Sequence, residues 1–427
     1  MGGALVPDLA VGPEVWLFLT LLGCVTIFFK FSRFWSIRNL DLLLLFALAP
    51  GMMMLVSSGV DDKPWLAYLW LFLGTLLWLA RCLLDLGLTR RPLLEPNLNA
   101  AGLACISVGV LGLFVVETVS LTLAEGAARN PADATKSAPR EGSEPARTPG
   151  ASKAVSLVVD AAPLSNDLKR APHKGLARLL ACLAQVGLVV GLLIVGWRHY
   201  ERPIAGLAVA TCYLLLPYCR FALADGGQLV PAALIVLAIL FYRMPIFSGI
   251  LIGISAAWMP ASIGLIPLWT GFYRGRGWIL FGPIALGVFA TSVLLAIFVP
   301  GMNTWAVALG ARTMAEAGLW PTADAPATGS FWSGVDAGYR LPVWIAYVAL
   351  VAWTTFWPAE KNLGELIATS AALLVASQFW YISAGGTLVL LYLPLVILMM
   401  FRPNLGRRQT FATRPPRRAK NPVSTGA

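Results

Sequence analysis

The chain has 427 residues, of which 58% are hydrophobic and only 12% charged, with a mean hydropathy of +0.74. Soluble domains carry about a quarter charged residues, so these figures exclude an ordinary soluble enzyme, a disordered chain and a coiled coil. They point to a polytopic membrane protein, and the net charge of +11, from 32 Lys and Arg against 21 Asp and Glu, then reads as topology, because Lys and Arg collect on cytoplasmic loops.

Residues 1–13 hold no Lys or Arg and so lack the basic region of a cleavable signal peptide. Apolar runs of about 20 residues then predict spanning helices at 14–30, 40–58, 65–87, 98–123, 176–197, 203–221, 227–242, 277–299, 342–357, 363–380 and 385–401. Between 245 and 273 the pattern changes: Pro245, Pro260 and Pro267 alternate with Gly249, Gly253, Gly264 and Gly271. Two half-length helices fit this stretch, each about 21 Å long against a ~30 Å hydrocarbon core, which predicts a re-entrant hairpin. The expected fold is all-α: a polytopic integral membrane protein with 11 spanning helices and one hairpin.

Charge tests the map. Eighteen of the 32 basic residues fall on one side: Lys30, Arg33, Arg38, Arg90, Arg91, Arg198, Arg202, Arg243, Arg274, Arg276, Lys361 and seven tail residues from Arg402 to Lys420. Short loops on the other side hold only Lys63, Arg312 and Arg340. The positive-inside rule puts the N-terminus outside and the C-terminus in the cytoplasm, in a plasma (inner) membrane. The alternation works only if 245–273 enters and leaves on one face. Residues 125–173 form a linker rich in Pro, Ala and Ser, disordered by composition and mapped to the outside. It divides a four-helix unit, 1–124, from a larger unit, 174–401, followed by a basic tail, 402–427.

A charge inside a span costs ~2.5–3.5 kcal/mol on insertion scales, so each one needs a reason. Arg81 and Asp85 lie four apart on one helix face, either neutralising one another or meeting lipid headgroups with Arg90 and Arg91. Glu117 and Arg220 sit near outer helix ends. Asp61 and Asp62 occupy a short outer loop, and Asp225 begins the helix that carries Gly226, Gly227 and Gln228, where it can cap exposed N–H groups. The outer loop 300–342 carries Trp305, Trp320 and Trp332, and its segment 304–318 reads as a short interfacial helix. The six cysteines lie singly in apolar runs, and the two histidines, His173 and His199, are too few for a metal site. No phosphate-loop, nucleophile-elbow or dinucleotide motif is present, and the basic tail reads as membrane-surface charge rather than a nucleic-acid site.

The stretch from Ala224 to Trp278 resembles glycosyltransferase family 87, the polyprenol-phosphate-mannose-dependent mannosyltransferases of the GT-C superfamily. Gly227 and Gln228 match the helix start. Arg243, Gly249 and Gly253 match the basic turn and Gly-rich hairpin, and Pro260, Arg274, Arg276 and Trp278 match its end. Ser330 to Arg340 is similar to the family's outer-loop Ser…Arg segment, and Ser377 to Gly386 to its late Trp-containing loop. Met259 stands where the family has Lys, and Gly385 and Gly386 where a His is expected. The resemblance covers residues 200–400.

It implies a GT-C enzyme that takes a hexose, mannose in the family, from a polyprenyl-phosphate sugar on the outer face and inverts the anomeric centre. Asp61 or Asp62 would be the general base, Arg340 or Arg220 would hold the leaving phosphate, and Asp225 and Gln228 would line the cavity. Membrane lipid and the lipid-phosphate sugar are the implied partners, with no other cofactor, metal or nucleic acid. Two further readings stay open. Met259 and the missing His fit a catalytically inactive relative that acts as a membrane scaffold. A transporter or lipid flippase is the third reading, although transporters carry paired repeats and intramembrane charges, and here no internal repeat is present and intramembrane charges are few.

Overall fold

The computed structural model describes residues 12–57, 64–88, 95–127, 174–221, 223, 225–275, 277–318, 331–332, 335–382 and 385–403. Asp61, Asp62, Arg90, Arg91, Arg276, most of the linker (128–173) and the tail beyond 403 lie outside the described residues. Those described form helices and no strand. Six segments among them are long and apolar enough to cross a membrane: 37–55, 65–87, 100–119, 175–200, 277–298 and 363–380. Shorter apolar helices at 14–28, 203–215, 226–240, 245–258, 340–356 and 389–401 complete the bundle.

In chain order the first unit is α1 (Pro13–Phe28), α2 (Ile37–Phe46), α3 (Ala49–Ser57), α4 (Pro64–Leu84) and α5 (Ala100–Ala127). The run expected as one helix at 40–58 is broken between α2 and α3, where Pro50 can start a helix but not continue one. After the linker come α6 (Lys174–Tyr200), α7 (Pro203–Leu215) and a short turn α8 (Tyr218–Phe221). Leu216, held extended at φ −75° and ψ 139° before Pro217, ends α7 early and splits the expected 203–221 helix. Next are α9 (Gly226–Leu240), α10 (Pro245–Trp258), α11 (Leu265–Phe272) and α12 (Gly277–Phe298). The segment after α12 holds α13 (Met302–Ala308) and α14 (Met314–Ala317), separated by Gly310 at φ +106° where one helix was expected. The chain ends in α15 (Arg340–Phe356), α16 (Leu363–Trp380) and α17 (Val389–Phe401).

Residues 245–273 form two short helices with a turn between them. Met259, at φ −136° and ψ 103°, and Pro260 turn the chain between α10 and α11. The Tyr273 hydroxyl then donates to the Tyr242 carbonyl, so the hairpin's two ends meet. Other contacts extend this end. Arg38 reaches the carbonyls of Phe28 and Glu95 at 2.7 and 2.6 Å. Tyr200 bonds the Leu398 carbonyl at 2.7 Å, His199 the Leu240 carbonyl at 3.0 Å, and Arg274 the Phe356 carbonyl at 2.8 Å. The turns that carry Arg38, Arg198, Arg202, Arg243, Arg274 and Lys361 therefore gather at one end of the bundle.

Two helices fill the centre. Every residue of α17 is buried, and so is every residue of α16 except Glu365, which closes a capping box with Asn362. A helix apolar all round belongs inside other protein rather than at a lipid boundary alone. At the opposite extreme, α12 buries only Phe281 and Ala285. Helices from before and after the linker share this core: the Tyr218 hydroxyl bonds the Leu45 carbonyl at 2.7 Å, and Ser107 meets Thr211 at 2.7 Å.

Candidate functional site

The end away from the basic turns collects the predicted polar residues. Asp225 is half-buried and caps α9, its Oδ1 accepting from the Gly227 N–H at 2.9 Å. The Gln228 amide nitrogen donates to Asp225 Oδ2 at 2.8 Å. The same side chain's Oε1 accepts from the Leu390 N–H at 3.1 Å, serving a first-turn donor of α17 that has no helical partner. Gln228 therefore stitches the starts of two helices. Replacing it by Leu strands both groups, and Gln228→Leu is expected to cost about 1–3 kcal/mol, read as a lower midpoint of thermal unfolding in detergent. An unchanged midpoint would mean that the bonds do not form.

The segment from Leu309 to Arg312 lies across the start of α9. A Cβ on Gly226 would come within 2.9 Å of the Leu309 carbonyl, and one on Gly227 within 2.8 Å of the Gly310 carbonyl and 3.3 Å of Arg312 Nε. Only glycine lets these backbones approach. Trp258, at the hairpin tip, donates to the Gly226 carbonyl at 3.1 Å and accepts the Arg312 N–H on its own carbonyl at 2.9 Å. Asp225, Gln228, Trp258 and Arg312 thus form one polar cluster.

The two arginines expected at a phosphate are both engaged. Arg220 grips Glu117 at 3.1–3.3 Å and lies over the Trp16 ring, 5.0 Å from its centroid. Arg340, 1% exposed, donates to the Gly318 carbonyl at 2.7 Å and the Trp380 carbonyl at 3.1 Å. Its cation fits the C-terminus of α16, where the helix dipole is negative and carbonyls lack partners. The late loop is held by Gln378, whose Oε1 accepts from the N–H groups of Gly386 and Leu388, both at 3.2 Å.

Asp61 and Asp62 lie outside the described residues, but the helix that follows them starts at this end. Tyr68 and Phe72 of α4 pack on the ring of Phe331, at 6.4 and 5.3 Å, and Trp332 bonds the Phe379 carbonyl at 2.8 Å.

At the basic end, Arg81 and Asp85 do pair, at 3.0 Å, but within a larger set. Arg81 also binds both carboxylate oxygens of Asp41, and Arg402 binds the other oxygen of Asp85. The alternative of headgroup contact for Arg81 gives way to this internal quartet. Sequence reading missed Asp41, Arg402, Arg312 and Gln378 as partners. Gln378 had a signal, an amide inside an apolar run. Arg402 had none, being 317 residues from its partner.

Among the described residues no group of three or more His, Cys, Asp or Glu is placed to hold a metal ion. Comparison with protein-family models, with curated proteins and with solved structures finds no match to this chain.

Proposed function

We propose that the chain is a membrane glycosyltransferase of the GT-C type, with eleven spans and one hairpin, N-terminus outside and C-terminus in the cytoplasm. It moves a hexose from a polyprenyl-phosphate sugar to an acceptor on the extracytoplasmic face. What supports this reading is convergence: the start of α9 with Asp225 and Gln228, the hairpin tip with Trp258, Arg312 of the outer loop and the helix entered from Asp61 and Asp62 all meet at the end opposite the basic turns.

The chemistry assigned to that end is a single inverting displacement. A carboxylate, Asp61 or Asp62, takes the proton of the acceptor hydroxyl as its oxygen attacks the anomeric carbon. The bond from that carbon to the phosphate oxygen breaks, and the polyprenyl phosphate leaves with the electron pair. A guanidinium steadies the departing charge. Arg340 and Arg220 are assigned this role, joined by Arg312, whose Nε lies beside Gly227.

Purified protein incubated with radiolabelled polyprenyl-phosphate mannose and membrane acceptors should transfer label. The Asp61→Asn, Asp62→Asn double variant should lose about 10²–10⁴-fold in rate, the worth of a general base. Unchanged transfer in the variant would sink the assignment of the base. A second reading has its own observation. Met259, fully buried at the hairpin tip where the family resembled carries Lys, favours an inactive relative that serves as a membrane scaffold, and absence of any transfer by the wild-type protein would select it.

A further inference from the structure

The basic end holds a cleft that the proposed chemistry does not use. It has a volume of about 390 Å³ and opens between α11, α12 and α15, with walls formed by Ile266, Thr270, Trp278, Thr355 and Phe356 and with Arg274 at its rim. These walls are almost wholly apolar, so a sugar or nucleotide would find few partners in them. The flank is the lipid-facing one, since α12 buries only two residues. Trp278 and Phe356 line the cleft and are exposed, and next to Phe356 in the chain the exposed Trp353 and Trp357 stack at 5.0 Å. Exposed Trp beside an apolar flank is the composition of a membrane–water interface.

One cation lines the cleft and a second lies behind its wall at Thr355. Arg274 is exposed and held in place by its 2.8 Å bond to the Phe356 carbonyl. Lys361 lies buried beneath, donating to the carbonyls of Thr355 and Pro358 at 3.0 and 2.9 Å. Among the described residues neither is within salt-bridge distance of a carboxylate. Glu365, the nearby acid, bonds the Asn362 N–H in its capping box. Burial, and then the charge of Arg274, push the Lys361 ammonium down to about 8, against a weaker pull upward from Glu365. The pair is thus a concentration of positive charge that an anion would relieve, placed at the end of an apolar channel. A guanidinium matches phosphate geometry through paired donors, and basic pockets between membrane helices suit anionic headgroups.

We propose that this cleft binds an anionic phospholipid, with the headgroup phosphate on Arg274 above Lys361 and one acyl chain lying along Ile266, Thr270 and Trp278. The occupant is a leaflet lipid, bound at the end opposite the sugar-transfer chemistry, and the assignment does not depend on that chemistry.

The test uses the full chain in detergent with a photoactivatable phosphatidylglycerol carrying a diazirine in its acyl chain, and the matching phosphatidylcholine. Label mapped by mass spectrometry should fall within 266–278 and 355–356. It should favour the anionic lipid by about fivefold, the worth of one cation at an anionic surface. Arg274→Gln, a change at an exposed side chain, should reduce that preference to near unity. Thr270→Phe should fill the cleft and remove the label. If the Thr270→Phe protein aggregates, Arg274→Gln decides alone. Equal labelling by both lipids, an undiminished preference in Arg274→Gln, or full displacement by inorganic phosphate, which would mark a site for free phosphate, would each overturn the proposal.

Discussion

Replacing Asp85 by Leu should cost about 3–5 kcal/mol, the usual loss when one member of a buried ion pair is removed. Asp85 is fully buried and sits between two guanidinium groups, Arg81 at 3.0 Å and Arg402 on its other oxygen. With Asp41, which grips Arg81 through both oxygens, the set holds two carboxylates and two guanidinium groups and sums to zero charge. Leu matches Asp in bulk closely enough that the variant tests charge rather than a cavity. Without Asp85, Arg402 is left with an uncompensated charge in a seat shaped around it: a Cβ on Gly364 would lie 1.6 Å from Arg402 Nη1. The Asp85→Leu, Arg402→Leu double variant removes both charges and should lose clearly less than Asp85→Leu alone, a non-additivity that identifies the pair. Thermal unfolding in detergent reads both. A wild-type midpoint for Asp85→Leu, or equal losses in the single and double variants, would show that the quartet does not hold the bundle together.

The quartet also shows where sequence reading stops. Arg81 and Asp85 were legible because helical spacing alone puts residues four apart on one face. Asp41 and Arg402 reach them only through packing, across 40 and 317 residues. The apolar helices were legible because lipid demands long uninterrupted runs, and the pair of short helices over 245–273 because Pro and Gly recur there. Two breaks inside predicted helices, before Pro50 and at Pro217, had the same kind of local signal and follow from the same rule. The break at Gly310 did not. Its positive φ answers to the glycines of α9 that it lies against, a contact no local pattern records. At the candidate site, Asp225 was legible as a cap, and Gln228 as a polar residue beside it, but the partner of Gln228 on α17 was not. Arg220 and Arg340 stood out as charges away from the basic turns. Their neighbours, Glu117 in one case and two carbonyls in the other, came from other elements of the fold.

The second large effect comes from a place with no charge at all. Gly196 of α6 and Gly206 of α7 bring two helix backbones into direct contact. A Cβ on Gly196 would lie 2.2 Å from the Gly206 Cα and 2.5 Å from its nitrogen, and one on Gly206 would lie 2.4 Å from the Leu193 carbonyl oxygen. Membrane helices associate through such small-residue contacts because lipid offers no hydrophobic gain for bringing them together. Overpacking a core costs about 1–3 kcal/mol when side chains can yield. Here backbone faces backbone, so the helices must separate, and Gly196→Val should exceed that range. Separation would also pull Thr211 of α7 from Ser107 of α5, now 2.7 Å apart. The control lies on the same helix: a Cβ on Gly187 meets nothing within 4 Å. Gly187→Ala should therefore leave the unfolding midpoint unchanged or raise it, since alanine favours a helix by up to about 1 kcal/mol over glycine. Comparable losses in the two variants would mean that α6 and α7 do not cross at Gly196. Loss confined to Gly196→Val would establish the close crossing of α6 and α7.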